Sequence, residues 1–251
     1  MATEQSSERV QELRHEFRRW LDTIDIKNLV FIDETGLNLA MTRLYGRCEG
    51  GGRVYDDRPG NKGKNITLIG AMSEEGLIAS MTFPGSLNTS SFIVFIEQVL
   101  ISQLWVGAIV AMDNLPVHYA EIARNLIESV GAKVKFLPPY SPDLSPIELC
   151  WSKLKEILRS IKARTLETLD EAITIAVNSI TDENALNWFN HCGLFFDQLG
   201  DSFCGRFDRK VLYVTAENIG AVAIGGSVKI DKQINANQSG KHNTQTNTFN
   251  L

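Results

Sequence analysis

Apolar residues along the chain fall into short runs separated by polar, glycine-rich or proline-rich segments. The apolar runs at 29–32 and within 108–114 are continuous, which predicts strands buried on both faces of a sheet. In 66–83, two apolar runs flank the turn-forming tetrad at 73–76, which predicts a hairpin of two strands. A fifth strand is predicted at 132–140, where prolines stop it.

Apolar residues at helical spacing fill the segments between and after these strands. Asn88 is expected to cap one helix, and Gly131 to end another that begins near Tyr119. Pro146 lies in the first turn of a long helix that runs to about residue 161. Further helices are predicted at 8–22, 165–180 and 182–190. This order of elements predicts an α/β protein with a mixed five-stranded sheet flanked by helices and a C-terminal helical extension.

Three parts of the chain differ in amino-acid composition and predicted structure. Residues 1–24 form a charged helical lead-in, residues 25–195 hold the α/β domain, and residues 196–251 form an atypical polar tail. Asn, Gln, Thr, Gly and Ser dominate 233–250, so this tail cannot bury enough apolar surface to offset its ordering entropy. We expect the tail to be largely disordered, with a weak hairpin near 211–230 as the alternative.

Composition limits the class of protein. Hydrophobic residues make up 43% of the chain and charged residues 22%, which is typical of soluble globular proteins. No apolar run reaches the ~20 residues that span a bilayer, and the polar start has no apolar signal core. None of the cysteines is at CxxC spacing, so neither a zinc site nor a disulfide framework is predicted, and a cytoplasmic location is expected. The cysteines are Cys48, Cys150, Cys192 and Cys204.

The formal net charge of −5 weighs against a nucleic-acid partner, but the charges are unevenly distributed. Six basic residues face three acidic ones in 43–64, and five face one in 153–164. Local basic surfaces can hold phosphates whatever the net charge, although solvated loop and helix faces are an equally open interpretation. The first basic segment is otherwise loop-like, with a short strand predicted near Val54 and Tyr55.

Three acidic residues stand at the ends of predicted elements. Asp33 and Asp113 end the two buried strands, and Glu148 lies in the first turn of the helix that follows the prolines. Parallel neighbours end at one edge of a sheet, so the three carboxylates are expected to converge there. Such carboxylates stay ionised together only beside cations, and they suit magnesium or manganese. Ordinary turn, capping and helix-dipole roles remain the alternative at this point.

Three motifs carry a resemblance to a known family. VFIDET at 30–35, AMDNLPVH at 111–118 and LPPYSPDLSPIELCWSKLK at 137–155 together resemble the DDE superfamily endonucleases, and more closely the insertion-sequence-630 branch of the mariner-like transposases. Thirty-four residues separate Asp113 from Glu148, which is the spacing that this branch uses. The proline-rich segment before the glutamate is the most specific of the signals.

The resemblance covers about residues 25–195 and implies an RNase H-like fold. It also implies metal-dependent cleavage and transfer of DNA strands at the ends of an insertion sequence. Asp33, Asp113 and Glu148 would then be both the catalytic residues and the ligands of Mg²⁺ or Mn²⁺, with two ions expected.

Further residues are assigned more modestly. Asn114 and His118 are predicted to contact DNA or orient the site, with a helix-entry cap as an open alternative for His118. Glu34 is expected not to bind metal, because adjacent side chains on a strand point to opposite faces. Trp151 is expected to pack the glutamate helix on the sheet. The other candidate DNA contacts are Arg43, Arg47, Arg53, Tyr140 and Lys153.

The expected partner is double-stranded DNA, both element ends and target, bound by a homodimer in the nucleoid, with no membrane partner. Related transposases find element ends with an N-terminal helix-turn-helix region, and the two dozen residues before the first strand are too few for one. We therefore expect a separately encoded recognition region. The alternatives are a structure-selective RNase H-like nuclease or resolvase, and an inactive transposase-derived DNA-binding protein.

Overall fold

A computed structural model of the protein describes residues 3–194 and 212–215. Its central sheet contains β1 (Leu29–Leu37), β2 (Ile66–Ser73), β3 (Gly76–Pro84), β4 (Ile109–Met112), β5 (Lys133–Phe136) and β6 (Leu212–Thr215). Their order in space is β5-β4-β1-β2-β3-β6. Strand β2 is antiparallel to β1 and β3, whereas β4 runs parallel to β1 and β5. The five predicted strands therefore form the mixed sheet, and β6 extends it parallel to β3.

Six α-helices accompany the sheet in the described part of the chain. They are α1 (Glu8–Leu21), α2 (Thr89–Phe95), α3 (Glu121–Ser129), α4 (Pro146–Ile161), α5 (Leu166–Asn178) and α6 (Asp182–His191). A π-helical turn, Ile96–Leu100, continues α2, and Asn88 caps that helix as predicted. None of the helices found in residues 3–194 is long and apolar enough to cross a lipid bilayer.

The two faces of β1 pack against different helices. Leu29 and Phe31 join a core with α1, α4, α5 and α6, in which the Phe31 and Phe189 rings meet edge to face at 5.6 Å. Val30 and Ile32 join a second core with α2 and α3. Burial on both faces explains the continuous apolar run in the sequence.

One of the predicted features differs in the structure. The short strand near Val54 and Tyr55 is wrong: both residues lie in an irregular segment, and both side chains are exposed, so neither packs as a strand residue would. Of the tail, only Leu212–Thr215 is described, and it pairs parallel to β3. The hairpin considered near 211–230 otherwise lies outside the described residues. The expectation of disorder for the rest of 196–251 falls outside the described residues.

Helix α1, which lies in the helical lead-in at 1–24, packs into the main core. Phe17 and Leu21 are buried in the same cluster as the apolar face of α4. The Phe17 and Trp20 rings also contact each other at 5.2 Å. The N-terminal helix thus packs on the sheet face that carries the acidic residues described next.

Candidate active site

The parallel pairing of β1 and β4 brings two aspartates to the same edge of the sheet. Phe31 pairs with Ala111, and each aspartate lies two residues further along its strand direction. Asp33 lies two residues after Phe31 in β1, on the face that carries α4. Asp113 directly follows β4, which ends at Met112. Glu148 stands in the first turn of α4, which begins at Pro146. The three carboxylates line one cleft of about 520 Å³.

The proline-rich segment forms one wall of this cleft. Its residues 137–142 line the cleft with the three acids. Asn114 donates from Nδ2 to the carbonyl oxygen of Leu137 at 2.7 Å, and its Oδ1 accepts from the Tyr119 hydroxyl at 2.6 Å. Both polar groups of the Asn114 amide are thus engaged within the protein. This placement fits the orienting role predicted for Asn114. The residue is also exposed and lines the cleft, so its contact with DNA stays a prediction.

Trp151 contacts the first aspartate directly. Its Nε1 donates to Asp33 Oδ2 at 2.9 Å, and the side chain is buried. Gly70 pairs with Asp33 across β1 and β2, and a Cβ at Gly70 would lie 2.7 Å from Cη2 of Trp151. The missing side chain at Gly70 therefore makes room for the indole beside Asp33. Sequence reasoning treated Trp151 as packing alone, and the signal it missed was a glycine inside an apolar strand.

His118 supports the second aspartate from inside the protein. Its Nδ1 lies 2.7 Å from Asp113 Oδ1, and its side chain has no exposed surface. The Phe92 ring lies 4.8 Å from the imidazole, and contact of His118 with DNA stays a prediction. The other predicted role, orienting the site, fits the geometry.

Glu34 lies on the opposite face of β1 from Asp33. Its Oε2 is 4.0 Å from His118 Nε2, and both atoms are buried without a hydrogen-bond partner among the described residues. Glu34 does not line the cleft. Burial raises the pKa of Glu34, although the neighbouring His118 opposes this shift.

The two aspartates have opposite electrostatic environments. Burial, together with the charges of Glu148 and Glu34, raises the pKa of Asp33 to about 7. Burial acts in the same direction on Asp113, but hydrogen bonds from His118 and from the backbone N–H of Leu115 outweigh it, so the pKa of Asp113 is lowered. The surroundings of Asp113 thus favour its charged form, whereas burial and the nearby negative charges favour the neutral form of Asp33.

Glu148 is exposed in the first turn of α4. Burial raises the pKa of Glu148, and the charge of Asp113 adds to the rise, while Lys155 opposes it. Among the side chains of the described residues, no three His, Cys, Asp or Glu are grouped so that they could hold a metal ion. The acids therefore share a cleft without forming a ready-made metal site.

The remaining candidate residues lie in different places. Arg43, Arg47 and Arg53 are exposed in the irregular segment between β1 and β2, and their contact with DNA stays a prediction. Tyr140 lines the cleft, and its side chain is 52% exposed. Lys153 does not line the cleft. Its Nζ donates to the Ser179 carbonyl oxygen and to Asn184 Oδ1, and its contact with DNA stays a prediction.

Comparison with known proteins identifies one family and several solved structures that are similar to this chain. A family model described as DDE superfamily endonuclease matches residues 28–170. The structure of a Mos1 transposase paired-end complex with left transposon end is similar with a TM-score of 0.61 and 19% identity, covering 74% of this chain and 60% of that one. The structure of a Mos1 mariner paired-end complex with Mn has a TM-score of 0.58 and 20% sequence identity, and the match covers 77% of this chain and 60% of that one. The structure of a Mos1 transposase catalytic domain with raltegravir and Mg has a TM-score of 0.53 and 16% sequence identity, and the match covers 77% of this chain and 91% of that one.

These similarities confirm the RNase H-like fold. Because the sequence identities are only 16% to 20%, these structures show the fold alone. The chain spans 60% of the length of the first of these structures. A search of curated proteins found no match.

Proposed function

Because the chain belongs to the DDE superfamily of endonucleases, we propose that it is the catalytic domain of a transposase that cleaves and joins DNA strands at the ends of an insertion sequence. The observation that carries this proposal is the meeting of Asp33, Asp113 and Glu148 in one cleft at the carboxyl edge of two parallel strands. The motifs that resemble the insertion-sequence-630 branch contain all three residues.

Divalent cations, Mg²⁺ or Mn²⁺ and two in number, complete this proposal. The donor chemistry fits, because carboxylate oxygens are hard ligands. Burial, together with the charges of Glu148 and Glu34, raises the pKa of Asp33, and a bound cation would oppose this shift. When bound, such ions would activate a water or a DNA 3′ hydroxyl and polarise the phosphate. Since no three acids are already grouped for an ion among the described residues, their side chains must adjust as it binds.

The surrounding residues would then keep the carboxylates in place. Trp151 restrains Asp33 through its indole N–H, and His118 restrains Asp113 from the buried side. Asn114 ties the end of β4 to the proline-rich wall. Residues that hold metal ligands in this way commonly matter nearly as much as the ligands themselves.

The substrate in this proposal is double-stranded DNA, both element ends and target, bound by a homodimer in the nucleoid. The exposed Arg43, Arg47 and Arg53 would contact phosphates along it. A separately encoded helix-turn-helix region would direct the domain to its ends. The Mos1 paired-end complex with its transposon end supports DNA as the partner of this fold.

The test is metal-dependent nicking of supercoiled plasmid DNA that carries the element ends. The wild-type chain should nick with Mg²⁺ or Mn²⁺ and stop when EDTA is added. Asp33→Asn, Asp113→Asn and Glu148→Gln should each reduce nicking to background, because each removes a charged ligand. Glu156→Gln, an exposed residue of the same helix as Glu148, is the matched control and should nick normally.

Wild-type nicking by all three site variants would refute the assignment. Joined strand-transfer products distinguish a transposase from the second candidate, a structure-selective nuclease. Hydrolysis of branched DNA without joining would favour that nuclease instead.

A further inference from the structure

Tyr140 has a backbone conformation that its residue type rarely adopts. Its φ is 53°, and only one other non-glycine residue in the described part of the chain, Lys162, has a positive φ. Lys162 ends α4, where the left-handed conformation is ordinary. Tyr140 has no helix end to explain its conformation. Strained backbone of this kind persists where the surrounding structure enforces it, often at functional sites.

A buried arginine from α1 fixes the residues that follow Tyr140. Arg14 is only 6% exposed and donates from Nη1 to Ser141 Oγ at 2.7 Å. It also binds both oxygens of Asp143, at 2.9 and 2.6 Å. The Ser141 hydroxyl in turn donates to the Pro139 carbonyl oxygen at 3.1 Å. Tyr140 is thus held between two anchored neighbours.

The Tyr140 side chain makes no hydrogen bond or ring contact within the described part of the protein. The Tyr140 ring lines the cleft beside the three acids and is 52% exposed. Tyr119 offers the contrast, because it is equally exposed but its ring stacks on Phe136 at 4.4 Å and its hydroxyl binds Asn114. The protein therefore uses Tyr119 internally and leaves the Tyr140 ring open to the cleft.

We propose that Tyr140 is a stacking platform for a DNA base next to the phosphate that is cut, and that Arg14 is the positioning residue that holds it there. This inference rests on the proposed function. An aromatic face accepts any base, so the platform would be tolerant of sequence. Because it lies beside the carboxylates, the base that it receives must be unpaired or turned out of the duplex.

The test uses the full chain and a DNA duplex with a single-stranded overhang that carries 2-aminopurine. The fluorescence of this base falls when it stacks, and titration in EDTA separates binding from cleavage. Wild-type protein and Tyr140→Phe should quench the probe. Tyr140→Leu should lose the quenching and bind about tenfold more weakly, because the stacking contribution is removed.

Two further variants separate stacking from damage to the fold. Tyr140→Gly should keep or raise the melting temperature, because glycine adopts positive φ freely, and should still lose quenching. Arg14→Met should reduce quenching, Arg14→Lys should restore part of it, and the exposed Arg19→Met of the same helix should leave it unchanged. A melting curve for each variant shows that it is folded.

Quenching by Tyr140→Leu at the wild-type level overturns the stacking role. Equal quenching by folded Arg14→Met and Arg19→Met overturns the positioning role. Asp113→Asn should still quench while it fails to nick. If the wild-type chain quenches the probe through Tyr140 but never nicks element ends, the proposed function fails while the platform stands.

Discussion

The two aspartates of the cleft are held by different neighbours. Asp113 accepts hydrogen bonds from the Leu115 backbone and lies against a fully buried His118. Asp33 has Trp151 as its side-chain donor, through a single indole N–H. Asp113 is thus held beside a partner that can carry charge, whereas Asp33 is held by neutral donors, the Trp151 indole and the Glu34 backbone N–H. Asp33 is therefore the carboxylate whose orientation a single substitution can release.

We predict that Trp151→Phe impairs catalysis more than it impairs folding. Phenylalanine keeps much of the buried ring but removes the donor to Asp33 Oδ2. The nicking rate or the apparent Mg²⁺ affinity should fall about 10- to 100-fold. The free energy of unfolding should fall by only about 1 to 2 kcal/mol. Mg²⁺ titration of the nicking rate beside urea denaturation measures both, and an unchanged Mg²⁺ dependence would contradict the role of the indole.

At the scale of elements, the sequence predicted what local pattern controls. Strands β1 and β4 follow from continuous apolar runs, and α4 follows from Pro146 and its apolar periodicity. Strand β5 is shorter than the predicted 132–140, because the chain leaves the sheet at Phe136, before the prolines. The three acids stand at element ends, so their approach also followed from the order of elements.

Contacts between elements could not be predicted from the sequence, because they depend on how the elements pack. The hydrogen bond from Trp151 depends on the register that sets Gly70 opposite Asp33, which no local pattern encodes. The burial of His118 depends on how Phe92 of α2 packs over it. The strand predicted near Val54 failed for a similar reason, since strand formation needs a partner edge that this exposed segment lacks.

The pairing of β1 with β2 gives a prediction about Gly70. Gly70→Ala places a methyl group 2.7 Å from the Trp151 ring, so the indole must shift away from Asp33. We expect a loss of about 1 to 3 kcal/mol in stability and a reduced nicking rate. Gly36→Ala is the matched control, because its added methyl meets nothing closer than 3.8 Å. Differential scanning calorimetry and plasmid nicking compare the two, and equal behaviour would show that the indole tolerates the methyl.

At the scale of the whole molecule, the N-terminal helix is connected to the cleft wall. Arg14 and Asp143 are 129 residues apart in sequence, yet they form a two-pronged ion pair. Arg14 is buried, whereas the Asp143 side chain is half-exposed. The first helix thus supports the segment that leads into Glu148, although it lies outside the matched family region.

This contact predicts how acid affects stability. The hydrogen bond with Arg14 lowers the pKa of Asp143, so its stabilising contribution is complete above the unfolded value of about 4 and is lost as the pH falls through the lower folded value. Asp143→Asn should be less stable than wild type at neutral pH and should lose less stability between neutral pH and pH 3. Denaturant unfolding at several pH values measures this, with the exposed Glu12→Gln of α1 as control. Parallel acid profiles for wild type and Asp143→Asn would contradict the assignment.

The space at Gly70 also constrains the order in which substitutions can accumulate during evolution. An alanine at 70 collides with the outer atoms of the Trp151 indole, which a phenylalanine at 151 would not possess. Alanine at 70 is therefore expected to be tolerated best where a smaller ring has already replaced the indole, which also removes the N–H that restrains Asp33. We therefore expect positions 70 and 151 to change together among related proteins, because either change alone would disturb the contact with Asp33.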